Sequence, residues 1–302
     1  MERNVLIIDD EKNQAEGLTR LLTKKNPSTH FFHAFEEKDI LHKIETTFFN
    51  LAIVDLRMDG FDYDGVDLIG KIITENPFAR IIVVSAFTSE FTHKLNPFIG
   101  TGKILAVSDK KSIDPWSDEL TDLMNTYFEK IEQNPSEISN SLLSFYSKAK
   151  NESDTYLKGK AFEHFVTFLL GIMGFREITH RVIDRSRNEV DLLVRNDISD
   201  TFLGKFGKYI LVECKNYPAD GVGKNAFIEF LSKLKNTNGL AELGILFTTG
   251  YIAQTTYIEA VRTSTEHHKI IFISNPEIEK LINSSDIRAE FKKIIDSQVK
   301  DN

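Results

Sequence analysis

The chain of 302 residues contains one cysteine, one tryptophan and only seven prolines, and it has no long apolar run. A single cysteine cannot form an internal disulfide or a multi-cysteine zinc site, which agrees with a reducing compartment. A bilayer-spanning helix needs roughly 18 consecutive apolar residues. The first residues also include acids where a signal peptide would have small, cleavable residues. We therefore expect a cytoplasmic protein with no membrane partner.

The composition is that of a soluble globular protein, with 41% hydrophobic and 27% charged residues. The length suits two domains of ordinary size. The net charge of −8 argues at first sight against a nucleic-acid partner, but most of the acidic excess lies before Lys130. Five arginines cluster in the nearly neutral second part, where they could neutralise phosphates or form a solvated polar hairpin. They are Arg176, Arg181, Arg185, Arg187 and Arg195.

Short apolar runs alternate with amphipathic segments from Asn4 to about Lys130. The runs are residues 5–8, 30–35, 51–54, 81–84 and 104–107, and helical spacing marks residues 14–24, 66–76 and 116–130. Such runs are typical of buried strands. Five buried strands separated by helices predict a doubly wound, five-stranded parallel sheet in an α/β domain.

Five functional side chains stand at the carboxyl ends of these predicted strands, the edge at which parallel sheets bind their ligands. They are Asp9, Asp10, Asp55, Ser85 and Lys110. Carboxylates can bind Mg²⁺, and a hydroxyl and an ammonium can each hold an oxygen of an incoming phosphoryl group. Asp55 would then be free to act as the acceptor nucleophile. A single aspartate at a strand end is more often a cap or turn residue. The prediction of a phosphoryl-acceptor site therefore depends on the five side chains together.

The sequence becomes polar between residues 133 and 154, where we place a linker with a short helix around Leu142 and Tyr146. A second α/β unit follows this linker. We predict its helices at residues 156–173 and 225–235, and its strands near residues 176–181, 189–194, 209–213 and 243–248.

The most informative stretch lies in this second unit, where charged residues stand at the ends of two apolar strands. Asp191 lies on one strand, and alternation places Glu213 and Lys215 on the same face of the next, with Cys214 towards the core. Two carboxylates on adjacent strands can bind Mg²⁺ through hard oxygen ligands. This arrangement indicates a metal-dependent hydrolase, and the alternative is a sheet rim that merely carries charges.

The first 130 residues or so resemble the response-regulator receiver domain, because the strand-end acids, Ser85 and Lys110 occur in that family's order. The resemblance implies a flavodoxin-like fold in which Asp55 is the phosphoacceptor and Ser85 and Lys110 bind the phosphoryl oxygens. The groups that it implies for one Mg²⁺ are Asp9, Asp10, Asp55 and the backbone carbonyl of Arg57.

Three positions depart from the receiver pattern. Asp59 stands where the family usually has proline, in a loop that is enlarged and acidic. The lysine of the family is commonly followed by proline, so Lys111 is a rival of Lys110 for the same role. Val107 occupies the place of the family's switch aromatic, and coupling through an aromatic rotamer is therefore not expected.

Residues from about 158 to 281 resemble PD-(D/E)XK nucleases, in particular the Mrr-like restriction endonucleases. The matching segments are residues 159–166, 173–175, 188–191, 213–215 and 244–250. The resemblance implies a restriction-endonuclease-like α/β domain with a mixed sheet.

The nuclease resemblance also implies roles for particular residues. Asp191, Glu213 and the backbone carbonyl of Cys214 would hold one Mg²⁺, and Lys215 would orient the attacking water or stabilise the developing charge. Glu163 would add a ligand, although glutamates are common on helix surfaces. Glu189 could bind a second metal ion or simply begin an exposed strand.

Together the resemblances predict a receiver domain at residues 1–132, a helical linker at 133–154 and a nuclease domain at 155–302. We expect a response regulator in which phosphorylation of Asp55 controls a Mg²⁺-dependent DNA endonuclease, with a role in defence against foreign DNA. The expected partners are a sensor histidine kinase or phosphotransfer protein, double-stranded DNA and a second copy in an active homodimer. The alternatives are a non-catalytic DNA-binding or adaptor response regulator and an RNA-directed nuclease.

Overall fold

The computed structural model describes residues 2–86, 88–183, 189–237, 239–263 and 267–300. The chain divides into two compact units, Met1–Asn134 and Pro135–Asn302. Within the described ranges, every helix is too short or too polar to cross a bilayer.

The first unit alternates strands and helices from its start to its end. In chain order its elements are β1 (Arg3–Ile8), α1 (Lys12–Lys25), β2 (Thr29–Ala34), α2 (Glu37–Thr46), β3 (Leu51–Asp55), α3 (Gly65–Glu75), β4 (Arg80–Ser85), α4 (Thr88–Ile99), β5 (Ile104–Asp109) and α5 (Ile113–Gln133). The five strands are parallel and pair in the order β2-β1-β3-β4-β5. The prediction of a doubly wound parallel sheet is confirmed.

Both faces of this sheet are covered, because successive side chains of a strand point to opposite faces. Val5 and Ile7 pack with α1 and α5, whereas Leu6 and Ile8 pack with the helices of the other face. The expectation of five buried strands is wrong for β5 and β2. Leu105 and Val107 of β5 are 40% and 43% exposed, and β2 is buried only at its two end residues. The reason is that β2 and β5 are the two edge strands of the sheet.

The second unit begins with two helices and then forms a mixed sheet. In chain order its elements are α6 (Pro135–Asn151), α7 (Thr155–Met173), β6 (Ile178–Ile183), β7 (Glu189–Arg195), a 3₁₀ turn (Leu203–Lys205), β8 (Tyr209–Lys215), β9 (Gly221–Val222), α8 (Lys224–Lys235), β10 (Ala241–Thr248), β11 (Tyr251–Ile252), α9 (Gln254–Arg262), β12 (Lys269–Ile273), α10 (Asn275–Ile282) and α11 (Ile287–Lys300). The main sheet has the order β12-β10-β8-β7-β6.

Strand direction changes within this main sheet. Strands β8, β10 and β12 are parallel, whereas β7 is antiparallel to both β6 and β8. The predicted mixed sheet is therefore confirmed. Phe227 and Phe230 of α8 pack with Leu211 and Leu246 on one face of the sheet.

The polar segment that sequence reasoning treats as a linker contains α6. Tyr146 of this helix packs its ring 5.0 Å from that of Phe165 on α7, measured between ring centroids. Leu142, Tyr146 and Ala149 are buried. The helix thus packs within the second unit, and the boundaries at residues 132 and 154 stay a prediction.

Candidate functional site

Three carboxylates meet at the carboxyl edge of the first unit's sheet. Asp9 and Asp10 follow β1, and Asp55 is the last residue of β3. Their ligand oxygens lie within 4.8 Å of one another, and Asp9 and Asp55 are buried. Carboxylate oxygens at this spacing fit a hard cation such as Mg²⁺.

The ammonium of Lys110 lies between the two buried carboxylates. Its Nζ atom is 2.8 Å from Oδ2 of Asp9 and 2.6 Å from Oδ2 of Asp55. Lys111 instead pairs with Glu119 on α5. Of the two rival lysines, Lys110 is therefore the one that reaches the phosphoacceptor candidate.

Burial dominates the electrostatics of this pocket. It raises the pKa of Asp55 and of Asp9 even though Lys110 donates to both carboxylates. Burial alone would lower the pKa of Lys110, but its hydrogen bonds to Asp55 and Asp9 outweigh that effect and raise it. Lys110 therefore stays protonated and would remain available to hold a phosphoryl oxygen.

Sequence reasoning did not identify Gln14, whose Oε1 atom accepts a hydrogen bond of 2.9 Å from Lys110. Gln14 lies on α1, beyond the strand ends on which the prediction was based. Ser85, at the end of β4, is fully buried, whereas Val107 on β5 is exposed.

Asp59, for which the receiver resemblance implies proline, makes a contact through its backbone N–H. The backbone N–H of Asp59 donates a 2.8 Å hydrogen bond to Oδ2 of Asp10, a contact that proline has no N–H to make. The side chain of Asp59 pairs with that of Arg57, whose backbone N–H points to Oδ1 of Asp55 at 3.4 Å. The metal role of the Arg57 carbonyl stays a prediction.

Gly65 allows α3 to begin directly against the end of β3. A Cβ atom at this position would lie 1.9 Å from the carbonyl oxygen of Asp55 and 2.5 Å from Cα of Leu56. The N–H of Gly65 also donates to the carbonyl of Leu56 at 2.9 Å. The position of Asp55 therefore depends on the absence of a side chain at residue 65.

In the second unit, Asp191 and Glu213 lie on the adjacent strands β7 and β8. Oδ2 of Asp191 accepts a 2.6 Å hydrogen bond from the backbone N–H of Cys214. Burial, followed by the charge of Glu213, raises the pKa of Asp191. Cys214 is half-buried, and burial followed by the charge of Asp191 raises the pKa of its thiol. Cys214 is thus a poor candidate for a nucleophile.

Two lysines hold the carboxylate of Glu213. Nζ of Lys215 is 2.8 Å from Oε1, so the predicted shared face of Glu213 and Lys215 is present. Nζ of Lys233, on α8, is 3.1 Å from both Oε1 and Oε2. Sequence reasoning missed Lys233, because only the packing of α8 on the sheet brings it to the strand.

Glu163, on α7, lies in the electrostatic field of this strand pair. Burial, followed by the charge of Asp191, raises the pKa of Glu163 to about 7. Arg181 opposes this shift from 3.8 Å away, and its guanidinium carbon lies 5.2 Å above the ring of Tyr156. Glu163 is therefore not an ordinary solvated surface glutamate.

The shifted pKa of Glu163 predicts a pH-dependent penalty on folding. Between pH 4.5 and pH 7 the unfolded chain ionises this carboxyl while the folded chain keeps its proton, so stability falls as the pH rises. The penalty is absent below pH 4.5 and complete above pH 7. We expect Glu163→Gln in EDTA to stabilise the second unit by about 2 kcal/mol at pH 8 and by much less at pH 5. Urea unfolding of both proteins at the two pH values measures this difference, and equal differences would contradict it.

The loop after β8 is fixed by contacts within the second unit. Nδ2 of Asn216 donates to the carbonyls of Ala149 and Lys158, both at 2.8 Å, and Oγ1 of Thr249 donates to Oδ1 of Asn216. A Cβ atom at Gly250 would lie 2.2 Å from the carbonyl oxygen of Asp220. Rigid support of this kind would hold the adjacent Lys215 in place.

The predicted arginine cluster is only partly described. Arg185 and Arg187 lie outside the described residues. Arg195 pairs with Glu177, while Arg181 lies near Glu163. Arg195 and Arg181 thus each have an acidic neighbour, which lies just before β6 for Arg195 and on α7 for Arg181. Whether the cluster binds phosphates stays a prediction.

Comparison with protein families identifies both units. Residues 5–98 match the model of the response regulator receiver domain. Residues 155–282 match the model of the Mrr restriction endonuclease family. The predicted fusion of a receiver domain with an Mrr-like domain is confirmed. A comparison with curated proteins gave no significant match.

Several solved structures resemble part of the chain. A CheY-like receiver domain protein from Methanospirillum hungatei JF-1 is 24% identical, over 45% of this chain and 99% of that one, with a TM-score of 0.36. The response regulator TrrA from Thermotoga maritima, in complex with Mg²⁺ and BeF, is 23% identical, over 40% and 98% of the two chains, with a TM-score of 0.33. A response regulator from Burkholderia pseudomallei with a phosphorylated aspartic acid, calcium ion and citrate is 21% identical, over 50% and 87%, with a TM-score of 0.33.

Proposed function

We propose that this protein is a cytoplasmic response regulator in which phosphorylation of Asp55 controls cleavage of DNA by the second unit. The observation that supports the proposal best is the side-chain set at β7 and β8, where Asp191, Glu213 and Lys215 converge in a domain of restriction-endonuclease kind. Cleavage of invading DNA by a homodimer would fit such a protein, since one active site cuts one strand.

In the receiver domain, the proposed reaction is transfer of a phosphoryl group from a histidine kinase or phosphotransfer protein. An oxygen of Asp55 attacks the phosphorus, the phosphorus–nitrogen bond of the phosphohistidine breaks, and the imidazole leaves with a proton. Lys110 would move from the Asp55 carboxylate to a phosphoryl oxygen, and the hydroxyl of Ser85 would donate to another. Mg²⁺ bound by Asp9, Asp10 and Asp55 would neutralise charge on the phosphoryl oxygens.

In the second unit, the proposed reaction is hydrolysis of a phosphodiester. Water attacks the phosphorus, one ester phosphorus–oxygen bond breaks, and the leaving oxygen takes a proton. Lys215 would orient the attacking water or stabilise the developing negative charge. Asp191, Glu213 and the carbonyl of Cys214 would hold Mg²⁺, and Glu163 would complete the acidic wall. Mg²⁺ lowers the pKa of bound water and polarises the phosphate.

Two observations favour the non-catalytic alternative, a DNA-binding or adaptor response regulator. Both carboxylate oxygens of Glu213 are already paired with lysines. Among the described residues, only the acids of the receiver pocket form a group of three side chains whose ligand atoms are close enough to hold one metal ion. An output domain that only bound DNA would need no exchange of these lysines for a metal ion.

Cleavage of supercoiled plasmid in Mg²⁺, with and without acetyl phosphate, tests the proposed control. We expect acetyl phosphate to change the rate 5-fold or more, since allosteric couplings of about 1–3 kcal/mol have effects of this size. Asp55→Ala should abolish the response. Asp62→Ala, which changes an exposed aspartate of the following loop, should retain it. Cleavage that ignores acetyl phosphate in every protein would remove the regulatory part of the proposal, and DNA binding without cleavage would support the adaptor alternative.

A further inference from the structure

Lys233 is a second cationic partner of a carboxylate that is almost fully buried. The side chain of Glu213 is 5% exposed, and that of Lys233 is 19% exposed. Their contact is bidentate, with Nζ 3.1 Å from each carboxylate oxygen. Since a buried charge needs a partner, Lys233 and Lys215 together neutralise the Glu213 carboxylate in the empty site.

The helix that carries Lys233 is held tightly against the sheet. Phe230 and Leu234 of α8 are fully buried. A Cβ atom at Gly244 on β10 would lie 3.0 Å from the ring of Phe230 and 3.2 Å from Leu234. Packing this close fixes the position of Lys233, which lies between these two anchors in the sequence. The packing of α8 in the core thus places Lys233 beside Glu213.

Two ammonium groups lie beside the two strand carboxylates of the site in the absence of a metal ion. The carboxylates of Asp191 and Glu213 face the ammonium groups of Lys215 and Lys233. A divalent cation bound by Glu213 would have to displace Lys233 from both oxygens and Lys215 from Oε1. A phosphodiester would offer the released ammonium of Lys233 a new anionic partner. Metal binding and nucleic-acid binding would therefore favour each other.

We propose that Lys233 is a positioning residue that acts as the resident counter-ion of Glu213 and keeps metal affinity low until a nucleic-acid phosphate is present. This inference rests on the proposed nuclease function. On metal entry the ammonium moves from the Glu213 carboxylate to a phosphate oxygen of the substrate, and no covalent bond changes. Lys233 thereby links metal occupancy to the presence of nucleic acid.

Isothermal titration of the full-length chain with Mn²⁺ in the absence of DNA tests this role. Removal of the competing ammonium in Lys233→Met should tighten binding at the second unit about tenfold, since a charged hydrogen-bonded pair is lost. The Mn²⁺ binding that is lost when Asp191→Ala is combined with each variant is assigned to the second unit. Binding that remains is assigned to the receiver pocket. Cleavage at saturating Mg²⁺ should fall about tenfold, because the released ammonium no longer contacts phosphate. Lys233→Gln also removes the charge but places a shorter, polar side chain at this position, so an effect shared by both variants comes from loss of the ammonium group.

Two further variants serve as controls. Lys233→Arg, which keeps the charge, should retain the affinity of the original chain for Mn²⁺. Lys205→Met, which removes an exposed lysine that is not a partner of Glu213, should change neither property.

The outcomes separate this inference from the nuclease proposal. Unchanged or weaker Mn²⁺ binding in both Lys233→Met and Lys233→Gln would overturn the counter-ion role of Lys233. If Lys233 had only a structural role, its removal would misplace Glu213 and would not tighten metal binding. If the original chain cuts plasmid and these variants bind Mn²⁺ with the same affinity as the original chain, the counter-ion role is wrong and the nuclease proposal stands. If no protein cuts but the variants bind Mn²⁺ more tightly, Lys233 is the counter-ion and the nuclease proposal fails.

Discussion

Plasmid cleavage in Mg²⁺ is expected to fall about 100-fold or more when Asp191 is replaced by alanine, since loss of a metal-binding carboxylate removes several kcal/mol of transition-state stabilisation. Asp191 is the proposed ligand on β7, and its Oδ2 atom also fixes the backbone of Cys214 on β8. The substitution therefore removes a metal ligand and an interstrand contact at once. Rates from gel quantification of nicked and linear plasmid give the measurement.

Asp197→Ala is the matched control for this experiment. Asp197 is an exposed aspartate that follows β7 in the chain, so its removal makes the same chemical change outside the proposed site. We expect its cleavage rate to stay within about twofold of the original, because exposed substitutions seldom have large effects. Asp191→Asn separates the two roles of Asp191, since an amide oxygen can still accept from Cys214 while the negative charge is lost. Cleavage by Asp191→Asn at the original rate would refute the metal-ligand role.

Gly65→Ala should destabilise the receiver unit by roughly 3 kcal/mol or more, beyond the usual range for a small overpacking change. The added methyl group would meet the backbone of Asp55 and Leu56, and backbone atoms at the end of a central strand cannot rotate away. Relief would require α3 to move off β3 or Asp55 to leave the acidic pocket. The variant should thus be less stable and a poorer phosphoacceptor.

Urea unfolding followed by tryptophan fluorescence measures this effect in the receiver unit alone. Trp116 is the single tryptophan of the chain, and it is buried against α1 and the sheet of that unit. Gly70→Ala is the control, because it adds the same methyl group to α3 and meets only the ring of Phe98 at 3.6 Å. A glycine-to-alanine change inside a helix should stabilise it by up to about 1 kcal/mol. Equal unfolding midpoints for the two variants would show that residue 65 tolerates a side chain.

Sequence periodicity was sufficient for most of the fold because the strands of this protein are short apolar runs bounded by polar residues. The run from Leu51 to Val54 shows this well, since it is buried on both faces and ends at Asp55. Periodicity could not predict the exposure of Leu105 and Val107, because strand order in a sheet is a long-range property. Nothing in the run itself marks β5 as an edge.

The candidate sites divide in a similar way. Strand ends converge in any parallel sheet, so the meeting of Asp9 and Asp55 follows from the fold class. Glu213 and Lys215 share a face because side chains alternate along a strand. The contacts of Gln14 and Lys233 come from helices that pack on the sheet, and their positions depend on core packing that no local pattern encodes. The preference of Asp55 for Lys110 over Lys111 likewise needed the three-dimensional structure.

The protonated thiol of Cys214 also bears on how the second unit would respond to oxidants. Peroxides and disulfides react with thiolates, and the raised pKa keeps this sulfur protonated. The carboxylates beside it would also repel anionic oxidants. With no other cysteine in the chain, we expect thiol oxidation to leave strand β8 and the candidate site beside it largely unchanged.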